Sequence, residues 1–128
     1  MITAIYASLC ALLIVWLSLN VIKKRREHKV SLGDGGHDDL GNAIAAHANA
    51  IEYIPIALLL LFALEYNGAN SMVLHGLGLL LVSGRLLHGL GMSANDMNNR
   101  VMGMQITLWT ILGLAVVNLA YIPYSKLF

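Results

Sequence analysis

AAHANAIEYIPIALLLLFAL, residues 45–64, has the length of a bilayer-crossing helix, yet its first half holds His47, Asn49, Glu52 and Pro55. A membrane span needs about 20 mostly apolar residues, and this stretch reaches that length only if its polar groups belong to the helix. Asn42, Asn49 and Glu52 recur at helical spacing, which sets them along one side within about three turns. A charged carboxylate at bilayer depth costs at least ~2.5–3.5 kcal/mol on insertion scales. The polar side is therefore expected to face protein or water, making residues 40–64 the inner-facing second span of a four-span bundle.

The other spans are plainer. Residues 2–22, 73–91 and 101–122 are each apolar over a sufficient length. With 58% hydrophobic and 12% charged residues, the chain exceeds the roughly 45–50% apolar share of soluble domains. The fold class expected is all-α, a four-transmembrane-helix bundle read as one integral membrane domain. A net charge of +1, and one basic run without interleaved aromatics, exclude a nucleic-acid footprint. The single cysteine, Cys10, excludes an internal disulfide and a cysteine-based zinc site.

Lys23, Lys24, Arg25, Arg26 and Lys29, five of the eight Lys and Arg residues, follow the first span. No positive segment precedes that span, so it is expected to remain as an anchor. The positive-inside rule then puts loops 23–39 and 92–100 in the cytoplasm and both termini outside. In SLGDGGHDD (31–39) the glycines mark turns, and Asp38 or Asp39 is the expected N-cap of the second span. GDGG lacks the lysine and preceding strand of a phosphate loop.

Glu52 needs a cation or a proton. Arg85, in SGRLLHGLGM of the third span, is the preferred partner, with Arg100 at the start of the fourth span the other candidate. Arg85 and His88 share a face at i, i+3, and Gly84, Gly89 and Gly91 permit close backbone approach beside them. The residues alone leave two readings open. They are interhelical polar contacts, or they line a site that holds an anion at this end of the bundle. Pro55 is expected to bend the second span and to free a carbonyl near Ile51. His28, His37 and His75 do not pair at metal-ligand spacing, so no metal is expected. Trp16, Trp109, Tyr121 and Tyr124 read as bundle or interface-belt aromatics.

A-H-x-N-x-x-E-Y-x-P over residues 46–55, R-x-x-H at Arg85 and His88, and NNR (98–100) opening the last span resemble the MAPEG family, the membrane-associated proteins in eicosanoid and glutathione metabolism. The resemblance covers nearly the whole chain and suggests a bacterial-type member in the inner membrane. It implies a homotrimer with glutathione, as co-substrate, held between subunits on the cytoplasmic side. The implied activity is that of a glutathione or related-thiol transferase or peroxidase acting on lipophilic electrophiles from the membrane lipid. By motif, His47, Asn49, Glu52 and Tyr53 would contact glutathione, Arg25 or Arg26 its carboxylates, and Arg85 and His88 would complete the set. Arg100 matches the catalytic arginine that stabilises the thiolate. An arginine suits that task, because a fixed cation in a partly dry site lowers a thiol pKa from its usual ~8.5.

The chain departs from the family pattern at Ala45 and Asn42, where arginines are usual, and at His88 and Met92, where some members have tyrosines. The alternative is a non-enzymatic member that binds a lipid or partner at the inter-subunit pocket.

Overall fold

The computed structural model describes residues 1–127. Four helices follow one another: α1 (Ile2–His28), α2 (Asp38–Tyr66), α3 (Ser71–Ser93) and α4 (Met97–Tyr121), with a 3-10 turn over Tyr124–Lys126. No strand occurs among the described residues. All four helices are long and apolar enough to cross a membrane. The four-helix, all-α expectation holds.

The central pair is α2 and α3. Each packs on the other and on both outer helices, whereas α1 and α4 do not touch among the described residues. Lipid is as apolar as leucine, so burial of apolar area does not hold such helices together; close packing and polar contacts do. The inner side of α2 fits this requirement with Ala43, Ala46, Ala50 and Ala57, all buried. Larger side chains, among them Leu17, Leu61, Leu81 and Leu114, fill the spaces between helices. Tyr6 of α1 lies directly on Gly78 of α3, where a β-carbon would come 2.3 Å from the ring. Its hydroxyl meets His75 Nδ1 at 2.8 Å.

The helix ends are fixed by specific groups. Glu65, at the end of α2, accepts hydrogen bonds from the Ile2 and Thr3 backbone N–H groups at 2.6 and 2.8 Å, and so caps α1 from another helix. Asn70 caps α3 through Met72 N, and Asp96 caps α4 through Asn98 N and Asn99 N. The first loop differs from expectation. The N-cap of α2 is His37, without a side-chain bond, and Asp38 and Asp39 lie in the first helical turn. Asp39 is drawn away by stronger partners, His28 Nε2 at 2.8 Å and Lys24 Nζ at 3.2 Å. Through the same turn His28 stacks on His37 with ring centroids 3.8 Å apart. α2 remains helical through Pro55, which lies exposed on its outer side.

Candidate functional site

The site begins at the crossing of α3 and α4. A β-carbon on Gly103 would lie 2.4 Å from the His88 backbone nitrogen and 2.7 Å from the Gly84 carbonyl oxygen, so only hydrogen fits there. At the loop end, a β-carbon on Gly91 would lie 2.5 Å from the Arg100 backbone nitrogen. These contacts bring Arg85 and His88 of α3 beside Thr107 and Met104 of α4. Arg100 sits in the opening turns of α4, just after its Asp96 cap.

Arg85 is 2% exposed. Its Nε donates to Thr107 Oγ1 at 2.9 Å, its Nη1 to Asn49 Oδ1 at 2.5 Å and its Nη2 to Met104 Sδ at 3.6 Å. The guanidinium also lies 5.7 Å from the centroid of the Tyr53 ring. Every one of these partners is neutral. The expected Glu52–Arg85 pair is absent: Glu52 is exposed and forms no salt bridge among the described residues. Helix geometry gives the reason. Asn49 and Tyr53 are i, i+4 and bracket the direction of Arg85, while Glu52 is rotated about 60° from Asn49, away from α3. Its side of α2 points out of the subunit.

Asn49, His88, Arg100, Val101, Met104, Gln105 and Leu108 line an open cavity of about 330 Å³. Three residues singled out in the sequence, Asn49, His88 and Arg100, therefore meet around one space, with buried Arg85 directly behind Asn49. No carboxylate among the described residues lines the cavity. Val101 and Leu108 are exposed on the outer side of α4, so the space combines cationic and amide donors with an apolar rim. Such a cavity suits an anionic group carried on, or approached by, an apolar molecule.

The remaining nominated residues lie elsewhere. His47 is half-buried on α2 and outside the cavity lining. Arg25 donates to the Gly33 carbonyl at 2.8 Å and, with Arg26 and Lys29, lines a separate hollow by the end of α1. Neither Arg25 nor Arg26 reaches the cavity of its own chain. Thr107, Met104 and Gln105 were not apparent from sequence, since hydroxyl, thioether and amide groups in an apolar helix look like ordinary packing. The one available signal was spacing: Gly103 and Thr107 are i, i+4.

Residues 3–120 match the family model described as MAPEG family. The chain belongs to the MAPEG family. It is also 40% identical over 128 residues to "Inner membrane protein YecN" of Escherichia coli (strain K12), an alignment covering all of this chain and 98% of that protein. The protein of the same description from Escherichia coli O6:H1 matches equally. Family membership agrees with the order of the motifs along the bundle: the second-span signature on α2, R-x-x-H on α3 and the arginine opening α4.

Proposed function

We propose that the cavity is a thiol site. In this reading it binds glutathione or a related thiol as the thiolate beside Arg100, and a lipophilic electrophile reaches the sulfur from the bilayer. The observation that carries it is the meeting of Arg100, His88 and the Arg85-held Asn49 around a space that no acid among the described residues lines. On binding, the thiol gives its proton to water and the guanidinium holds the sulfur anion without itself changing charge. With an aryl halide, the thiolate forms the S–C bond and halide departs. No general base is needed. With a peroxide, the same thiolate attacks oxygen, the alkoxide takes a proton from water, and a second thiol reduces the sulfenic acid to water and disulfide.

The site is completed in a homotrimer. Arg25 and Arg26 cannot reach their own cavity, and Glu52 lies on an exposed apolar surface at bilayer depth, where an unpaired acid is costly. A neighbouring copy supplies cations for the one and a ligand for the other. In this reading the site opens to the cytoplasmic side of the inner membrane, an orientation that the basic run after α1 supports through the positive-inside rule.

The test is an ultraviolet difference spectrum of purified protein mixed with glutathione, with wild type compared to Arg100→Ala and Arg100→Lys. The expected result is a thiolate band in wild type, lost in the alanine variant, together with conjugation of an aryl halide. Absence of both in wild type leaves the second reading, a lipid- or partner-binding member. Ala45 and Asn42, standing where family members carry arginines, favour that second reading.

A further inference from the structure

We propose that Thr107 and Arg85 are positioning residues that lock the side-chain amide of Asn49, oxygen inward and NH2 toward the cavity, so that the site presents donors and selects a group that accepts. The selected group is an anionic sulfur or a carboxylate, and this part of the claim rests on the thiol reading. The lock itself does not.

The chain of bonds has a fixed sense. Thr107 Oγ1 donates its proton to the Gly103 carbonyl at 2.9 Å, so its lone pairs are what Arg85 Nε meets. With Met104 Sδ holding Nη2, two points define the plane of the guanidinium. Nη1 is thereby aimed at Asn49. A guanidinium has five donors and no acceptor, so only the amide oxygen can face it. The flipped amide would set donor against donor and forfeit a charge-assisted bond. Among the described residues the outward NH2 meets only Met104 Sδ, at 3.8 Å, a weak contact that a ligand oxygen or sulfur readily replaces.

Charge acts in the same direction. Since among the described residues every partner of Arg85 is neutral and no acid lines the cavity, its charge adds to that of Arg100. Arg85 is shielded from the cavity by Asn49 and acts through it. Thr107, one step further back, sets the angle.

The experiment uses the full chain in detergent, with Thr107→Val, which keeps shape and removes the acceptor, and Thr107→Ser, which restores it. In 15N-labelled protein the Asn49 NH2 pair is assigned by its disappearance in Asn49→Asp. Thr107→Val should displace or broaden that pair, and Thr107→Ser should leave it in place. Glutathione binding should weaken by about tenfold in Thr107→Val, the loss of one charge-assisted hydrogen bond, and the pH at which bound thiol ionises should rise. Thr107→Ser should restore both. An Asn49 pair unmoved in a folded Thr107→Val protein overturns the lock. If Thr107→Val does not fold, Arg85→Lys, which keeps the charge and loses the fork, is held to the same criterion. If wild type takes up no glutathione, the thiol reading fails while the amide resonance still decides the lock.

Discussion

Arg85 of α3 binds Asn49 of α2, Nη1 to Oδ1 at 2.5 Å, and leaves Glu52, only three residues along the same helix, without a salt bridge among the described residues. The buried cation is thus satisfied by dipoles. A double-mutant cycle of Arg85→Gln with Asn49→Leu should give a coupling of about 1–2 kcal/mol, within the range for interhelical and charge-assisted hydrogen bonds. The cycle of Arg85→Gln with Glu52→Gln should be additive to within about 0.5 kcal/mol. Unfolding of the purified protein in detergent measures both, and strong coupling to Glu52 would refute the assignment.

The four helices were legible because apolar length is a one-dimensional property that survives any arrangement of the spans. The helical spacing of Asn42, Asn49 and Glu52 on α2 was legible too, but the expectation that they share one inward side was not met, since Asn49 turns to α3 and Glu52 outward. The partner of Arg85 was not legible, because a rotation of about 60° between Asn49 and Glu52 decides which one meets α3, and no single-helix pattern fixes the rotation of α2. The Glu65 cap on Ile2 and Thr3 and the stack of His28 on His37 depend on how chain ends and loops return. Thr107 and Met104 gain meaning only once Arg85 has been placed beside them.

The α3–α4 crossing should tolerate no side chain at Gly103. A methyl there would overlap the His88 backbone nitrogen and the Gly84 oxygen, neither of which can swing aside. Gly103→Ala should therefore destabilise by at least about 1–3 kcal/mol through overpacking and spread the walls of the cavity. Gly76→Ala is the control, since nothing lies within 4 Å of its added carbon. That change should be neutral or stabilising by up to about 1 kcal/mol. Thermal midpoints in detergent decide between equal and unequal effects.

Acid should loosen the first loop. Asp39, at the loop end of α2, has its carboxyl held down at about 2, chiefly by the hydrogen bond from His28, which outweighs the opposing effect of burial; the Lys24 contact and the Leu40 backbone N–H add smaller downward contributions. Because the folded value is depressed, the tether is fully present above the ordinary carboxylate range near 3.9. It is lost as pH falls from there through about 2. A carboxyl-carbon NMR titration should find the low midpoint in wild type and a midpoint moved toward 3.9 in His28→Ala. Equal midpoints in the two proteins would rule out the His28 contact as its cause.

The outer side of α2 should be where copies of the chain meet. Ala45, Ala48, Glu52, Pro55, Leu59, Phe62 and Tyr66 are all exposed and follow alternating steps of three and four, the heptad spacing of a helix seam. Small residues flank the acid on its loop side and bulky ones follow toward Tyr66, so packing around Glu52 is close enough for neighbouring groups to reach it. The native cysteine does not interfere, because Cys10 is 1% exposed, and Cys10→Ser removes it altogether. In that background Ala48→Cys and Leu59→Cys should form disulfide-linked dimers on mild oxidation in the membrane, since β-carbons across a tight seam come within the 3.5–4.5 Å that the bond needs. A three-fold seam allows only two of three thiols to pair, so a covalent dimer should accompany a trimeric mass in detergent. Leu79→Cys, on the exposed side of α3, should stay reduced. Monomeric mass with no α2 cross-link would leave Glu52 facing lipid alone and remove the inter-subunit site.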